Sequence, residues 1–511
     1  MPKQMNMGAV PRPGTTELPA EASAILRIFG RNTLWLWLDL GALRIGTMLA
    51  GLFLIRYFGP TNFGIYSTAL AVGWVANAVI DLGLTRYAAR AVAADVNEAK
   101  PILALTLFTT LGSAVIATLV LLLAVYSVYM PLACLAAGFI LCNFEGTSSL
   151  CAGILTADLR SKAILPGSIL SALGLILMVG ITFWFRLSVL GLLVGLCVKS
   201  AAVMSLRLWQ LRLHWPNASD WSLQMFRRVA RSAMAFFANN LTQVGYGKIA
   251  ILSLGLASSE AEVGWFAAAY TIADVVPQWS YALSGALLPV WTKLFETGRT
   301  SDMLALRRRL LDGILLTTIP AWLSLALFAK QICVLLGTNY VPSAPVLSIV
   351  ALRCVLSVLD GFFGHGFLVA ANRVAERQRA LGISLVLLGI LSVVLGYFWG
   401  AIGVALALVT SDATLILQYL PISARIGLKI EWPRMLPVGI AALLMILCAF
   451  ALPGDIPFLL RALASAAVYV CALLVLSKEQ LRNLGKTLHD CIFPRPDCGV
   501  ETGRTRVTSE P

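Results

Sequence analysis

Leu52-Phe53-Leu54-Ile55-Arg56-Tyr57-Phe58-Gly59-Pro60-Thr61-Asn62-Phe63-Gly64-Ile65-Tyr66-Ser67-Thr68-Ala69-Leu70 joins two apolar runs, centred near Leu43 and Val72. The segment between them, Arg56 to Gly64, carries no acid. A run of about 20 apolar residues spans the hydrocarbon core as a helix, and Gly-Pro punctuates a turn. The stretch therefore reads as the tip of a transmembrane helical hairpin. Twelve more apolar runs follow, centred near Leu111, Ala137, Leu173, Val194, Ala250, Val276, Ile319, Leu356, Leu387, Val409, Leu443 and Val468. Fourteen spans use roughly 280 residues by that rule, which leaves little for a soluble domain. Lipid cannot satisfy backbone polar groups, so the spans must be helical. The expectation is an all-α integral membrane protein with about fourteen transmembrane helices.

Composition agrees: 59% of residues are apolar and mean hydropathy is +0.84, yet the formal charge is +14. Lys and Arg fall mostly in alternate gaps between spans. With the N-terminus in the cytoplasm, thirty-one of them lie in cytoplasmic segments, and only Arg56, Arg186, Lys330 and Arg461 lie outside. That bias sets orientation and predicts that both termini are cytoplasmic. The excess positive charge then serves topology and attraction to anionic membrane lipids, and nucleic acid is not an expected partner. Eight of ten cysteines lie in apolar segments, and neither a CxxC pair nor a zinc-ligand spacing occurs. No cofactor is expected. The first apolar run starts near Asn32, too late for a cleaved signal peptide, so the first span should be retained.

The chain repeats itself. Gly64-Ile65-Tyr66-Ser67-Thr68-Ala69 opens the second span as Gly264-Trp265-Phe266-Ala267-Ala268-Ala269 opens the eighth. Gly153-Ile154-Leu155-Thr156-Ala157-Asp158-Leu159-Arg160 ends span four as Gly366-Phe367-Leu368-Val369-Ala370-Ala371-Asn372-Arg373 ends span ten. Both pairs link span n to span n+6. An even offset preserves sidedness and predicts parallel repeats about an axis along the membrane normal. The expected organisation is a cytoplasmic tail (1–31), a six-helix bundle (32–208), a cytoplasmic linker (209–228), a second six-helix bundle (229–425), two extra helices (434–477) and a cytoplasmic tail (478–511). Within the linker, Trp215, Trp221, Leu223, Met225 and Phe226 alternating with Arg227 and Arg228 predict a short amphipathic helix on the cytoplasmic membrane interface.

Topology leaves four cations unexplained inside spans: Arg44, Lys199, Lys248 and Arg353. Asp39, Asp81, Glu145, Asp274, Asp360, Asp412 and His365 accompany them. A charge at mid-bilayer costs about 2.5–3.5 kcal/mol on insertion scales, so it faces a cavity or a partner. Arg353 and Asp360, two turns apart, share a helix face and are expected to pair. Arg44, Lys248 and Arg353 come from spans one, seven and ten and are candidates for a cationic lumen between the bundles, open to an anionic substrate. Asp39, Asp81, Glu145 and Asp360 are candidates for ion pairing or coupling. Gly41, Gly46 and Gly51 in span one, with Pro277, Pro289 and Pro320, mark helices that bend. The chain has no GxxxxGK[ST] phosphate loop. Short outer loops without a catalytic carboxylate argue against an enzyme.

Ile55-Arg56-Tyr57-Phe58-Gly59-Pro60, Phe63-Gly64-Ile65-Tyr66 and Ile80-Asp81-Leu82-Gly83-Leu84-Thr85-Arg86 together resemble the opening signature of the bacterial polysaccharide transporter family, which includes O-antigen flippases. That family sits in the superfamily of lipid II flippases and MATE multidrug exporters. Gly153 to Lys162 and Gly264 to Tyr270 resemble later parts of the pattern, and the likeness runs from about Asn32 to Ala424. It implies a V-shaped pair of bundles in the bacterial inner membrane. These would turn an undecaprenyl-diphosphate-linked oligosaccharide to the outer leaflet for O-antigen, capsule or exopolysaccharide synthesis, beside a polymerase and chain-length machinery. Relatives often carry an acid in span seven where this chain has Lys248, which makes the lumen more cationic. Moving a diphosphate outward across an inside-negative 100 mV potential releases about 2.3 kcal/mol per charge. The alternative is a MATE-like drug exporter coupled to sodium or protons through Asp39, Asp81 or Glu145.

Overall fold

The computed structural model describes residues 20–158, 161–275, 318–425, 435–453 and 456–476, with a few positions between 277 and 311, and side chains from Gly46 onward. Among these residues every regular element is helical. The first, α1 (Ala20–Ile80), holds two spans in one trace. Gly59, at φ 69°, breaks it, and Pro60 starts the second half. A positive φ suits glycine, and proline at a first helical position has no N–H to leave unsatisfied. Short α2 (Leu84–Ala94) follows at the cation-rich end of the helices, which the cation bias expects to face the cytoplasm and which is called the inner end, the opposite one the outer end. Spans three to six are α3 (Ala99–Tyr126), α4 (Met130–Ala157), α5 (Leu165–Phe185) and α6 (Val189–Gln210).

The second bundle begins with α7 (Leu223–Ala257) and α8 (Glu260–Ala273). Span nine is bent by 68° between α9 (Thr318–Leu327) and α10 (Ala329–Leu336). Span ten is built from α11 (Ser343–Val350), α12 (Arg353–Asp360) and a π-helix, Gly361–Leu368. Spans eleven and twelve form α13 (Val374–Arg425), broken at Gly400, whose φ of 54° and ψ of −135° only glycine takes easily. Glu262 of α8 accepts the Ala401 amide there and places a carboxylate at the start of span twelve. The hairpin α14 (Met435–Ala451) and α15 (Phe458–Leu476) packs through Val438, Met445 and Tyr469 against Ile319, Trp322 and Leu323 of span nine.

Thirteen of the fourteen apolar centres fall on these helices; Val276 lies outside the described residues. By length and composition, eight described helices can cross a membrane, or nine with the bent pair. The difference has local causes. α1 and α13 each carry two spans, α7 has a polar half, α8 has 14 residues, and α14 is one turn short. Phe108, Leu119, Leu122, Leu173, Leu177, Ile383 and Val386 are exposed on the outside of the bundles. Water would not tolerate such a continuous apolar belt; it fits acyl chains.

The linker departs from expectation. After α6 come two short 3₁₀ turns, Arg212–His214 and Ala218–Trp221, and then α7. Leu223 to Arg228 are therefore the first turns of span seven, not a separate surface helix, and the second bundle starts six residues earlier than 229. The Ser222 side chain accepts the Met225 amide and caps α7 at that point.

Candidate functional site

The two bundles meet between α1 and α8, and the closest approach is made by the repeated glycines. A Cβ on Gly64 would lie 1.9 Å from the Glu260 carbonyl oxygen, and one on Gly264 would lie 1.9 Å from the Pro60 carbonyl oxygen. Each glycine meets the residue four places before the other. This reciprocity, i to j and j to i, is what a two-fold axis produces. The crossing lies near the outer ends of spans two and eight. Tyr340 adds an outer tie by donating to the Ile55 carbonyl at 2.9 Å.

The inner ends also touch, through polar groups. Asp81 stands just past the end of α1, in the turn to α2, and not within span two. Its carboxylate accepts from Thr85 Oγ1 at 2.7 Å and from Asn240 Nδ2 of α7 at 2.9 Å. Burial pushes the Asp81 carboxyl up from its ordinary value, against the hydrogen bonds from Thr85. Arg86 donates to Gln243 of α7, and Arg228 of α7 bridges to Glu98 at 2.9 Å. Gly83, at φ 83°, lets this turn sit against the α7 backbone, since a Cβ there would be 2.7 Å from the Phe237 nitrogen. A hydrogen bond contributes about 0.5–1.5 kcal/mol net, or about 1.5–3 kcal/mol when one group is charged, so these few bonds make a modest inner latch. Replacing Asn240 and Gln243 by Ala is expected to release it, broadening the distance distribution between spin labels at positions 90 and 231. An unchanged distribution would count against the latch.

Between the two seals lie the intramembrane charges. In the first bundle, Lys199 of α6 pairs with Glu145 of α4 at 2.9 Å, and Ser200 donates to the same carboxylate oxygen at 3.2 Å. In the second bundle, Arg353 donates through Nη1 to Asp274 Oδ1 at 2.9 Å and through Nε to Asp412 Oδ2 at 3.0 Å. Tyr246 of α7 donates to Asp412 Oδ1 at 2.6 Å, and the guanidinium stacks over Tyr270 at 4.8 Å. One arginine thus ties spans eight, ten and twelve together, with span seven held through Tyr246. Beside the expected Arg353–Asp360 pairing, tertiary packing brings two carboxylates from other helices to the guanidinium. Asp360 accepts from Tyr419 at 3.1 Å, with Arg377 engaging the same hydroxyl. Gly364, in the π-helix, leaves the room: a Cβ there would be 2.6 Å from Asp360 Oδ1.

Lys248 is different. Among the described residues it forms no hydrogen bond or salt bridge, although it is half-buried at mid-span in α7. Its helix, α7, packs against α1 of the first bundle. Of the three cations assigned to a lumen, Lys248 has no ion pair among the described residues, Arg353 is held by acids, and the Arg44 and Asp39 side chains lie outside the described residues. Asp274, Asp412 and Tyr246 belong to the site as well. Tyr246 carried a faint signal, since Tyr246-Gly247-Lys248 is a polar interruption in an apolar run. No group able to hold a metal ion occurs among the described residues.

Comparison with known proteins places this geometry. Residues 29–295 match the profile of a family described as polysaccharide biosynthesis protein. No curated protein matches the sequence. Among solved structures, lipid II flippase MurJ in an inward closed conformation is similar with a TM-score of 0.66 at 14% identity, covering 88% of this chain and 99% of that one. An outward-facing multidrug resistance MATE family transporter of the MOP superfamily is similar with a TM-score of 0.48 at 14% identity, covering 78% of this chain and 95% of that one.

Proposed function

The chain belongs to the polysaccharide biosynthesis protein family, a multi-pass membrane protein, and from that premise we propose that it flips an undecaprenyl-diphosphate-linked oligosaccharide from the inner to the outer leaflet of the bacterial inner membrane, with both termini in the cytoplasm. The observation that carries the reading is Lys248, a cation at mid-span in α7, the helix that packs against α1 of the first bundle, with no ion pair among the described residues. An unpaired ammonium in a span is costly unless it serves a ligand. A diphosphate supplies the missing anion. The alternation of a polar inner latch with a tight outer glycine crossing lets one side open while the other stays shut. The likeness of the backbone to a lipid II flippase supports a path wide enough for a lipid-linked head group.

Lys248 meets the diphosphate in this reading, and Arg353 holds the acid pair that shapes the wall beside it. Glu145, already bound to Lys199, braces the first bundle. Lys248→Ala is expected to abolish surface polysaccharide while membrane levels stay normal, and Lys248→Arg to retain part of the output. Normal polysaccharide in Lys248→Ala cells would sink the reading. Flipping of the lipid-linked glycan by the purified protein in proteoliposomes tests it directly, and drug efflux without glycan flipping would favour an exporter instead.

A further inference from the structure

The two repeats differ where their fifth and sixth spans turn at the outer end. Phe183-Trp184-Phe185-Arg186 closes span five as Tyr397-Phe398-Trp399-Gly400 closes span eleven. Arg186 and Gly400 both hold the turn at positive φ, 52° and 54°. Asn62 and Glu262 also correspond, each two residues before the paired glycines Gly64 and Gly264. In the second repeat Glu262 fills the space over the turn. Its carboxylate accepts the Ala401 amide, and a Cβ on Gly400 would lie 2.1 Å from Oε2. In the first repeat the acid is replaced by Asn62, whose Nδ2 donates to the Phe58 carbonyl at 3.3 Å, and a cation is added. There an open cavity of about 700 Å³ remains, lined by Tyr57, Asn62, Phe183, Trp184, Arg186 and Ser188 and by no acid. Among the described residues the Arg186 guanidinium forms no hydrogen bond or ion pair. Holding a side chain at positive φ costs stability that Gly400 avoids, and a residue kept in such a place points to a use.

We propose that this cavity binds the phosphate of an anionic phospholipid at the outer end of the first bundle. The phosphate takes the place that corresponds to the Glu262 carboxylate in the other repeat, and Arg186 is its cation. Ser188 adds a donor, since its oxygen accepts the Gly191 amide and leaves its O–H to give. A lipid suits the cavity better than a soluble anion. Phe183 and Trp184 are exposed at the end of a span, the level at which aromatic rings meet lipid head groups. A chain attached to the phosphate can run past them into the bilayer. Tyr57 and Phe58 of the cavity lie on the same hairpin tip as Pro60, whose carbonyl meets Gly264. A bound lipid therefore steadies the tip that forms the outer crossing. The site stands apart from the intramembrane charges and does not depend on Lys248.

The test is native mass spectrometry of the full-length protein in detergent, titrated with phosphatidylglycerol. The natural chain should hold a phosphatidylglycerol more tightly than phosphatidylcholine, whose choline offsets the phosphate charge. Arg186→Gly relaxes the backbone of the turn, so the variant should fold at least as well, yet bind that lipid about tenfold more weakly. Arg186→Lys keeps the charge and should retain most of the affinity. The pair Asn62→Glu, Arg186→Gly copies the second repeat, supplies its own carboxylate, and should lose the lipid. Lys330→Ala removes an outer cation elsewhere and should leave the affinity unchanged. Inorganic phosphate at millimolar concentration should not displace the lipid. Displacement would show a site for free phosphate and would overturn the lipid as its occupant. Equal binding of phosphatidylglycerol by the natural chain and both glycine variants, or equal weakening by Lys330→Ala, would overturn the site itself.

Discussion

Replacing Gly264 by alanine is expected to stop glycan flipping and to hold the outer face open. Helix propensity alone argues the reverse, because alanine in a helix interior is about 1 kcal/mol better than glycine. The crossing decides the sign. A Cβ at position 264 would lie 1.9 Å from the Pro60 carbonyl oxygen and 2.6 Å from its carbon, both backbone atoms that no rotamer change can move. The penalty falls on the closed outer face alone. Overpacking typically costs about 1–3 kcal/mol, and the upper end shifts an opening equilibrium roughly a hundredfold. Gly64→Ala should act alike, because its Cβ would meet the Glu260 carbonyl oxygen at the same 1.9 Å. The readout is labelling from outside by a membrane-impermeant maleimide at Thr271→Cys. This position packs against Gly51 across the bundle interface. Labelling should be slow in the otherwise natural chain and fast with Gly264→Ala. Flipping at the natural rate with Thr271→Cys still protected would show that the crossing does not seal the outer side.

Arg353→Ala is expected to act on the fold before it acts on transport. Removing one partner of a buried ion pair costs about 3–5 kcal/mol, because the other partner keeps a buried charge without compensation. Here two carboxylates, Asp274 and Asp412, would lose the guanidinium that holds spans eight, ten and twelve. The measurement is the melting temperature and the membrane level of the purified variant, both of which should fall. The triple variant Arg353→Ala, Asp274→Asn, Asp412→Asn should recover much of the loss, since it removes the charges together. Lys248→Ala, by contrast, should leave the melting temperature near its starting value. Equal melting temperatures for Arg353→Ala and the natural chain would remove Arg353 from the centre of the second bundle.

Much of the architecture was legible because lipid imposes a simple code. Helix length, the bias of cations to one side and the sidedness of the repeats each follow from the solvent on either side of a segment. The repeat at Gly64 and Gly264 was visible as a motif, but its purpose was not. Sequence spacing cannot reveal that two equivalent glycines touch across an axis. The linker misled for a related reason: aromatic and basic residues between Trp215 and Arg228 fit a surface helix as well as they fit the inner turns of α7. The site was less legible still. Arg353 and Asp360 share a helix face, which spacing reveals, but nothing in the sequence announces Asp274 and Asp412, which packing brings to Arg353 from 79 and 59 residues away.

The sequence by itself determined that this chain crosses the membrane many times as helices and that it is built from two parallel halves. Those properties arise from water-to-lipid transfer, which acts on each segment locally. Only the tertiary structure decided which charges pair, Arg353 with Asp274 and Asp412 and Lys199 with Glu145. Ion pairing inside a bilayer acts over a few ångströms between helices that are distant in sequence. The difference between Arg353, held by acids, and Lys248, without an ion pair among the described residues, exists only once the helices have packed.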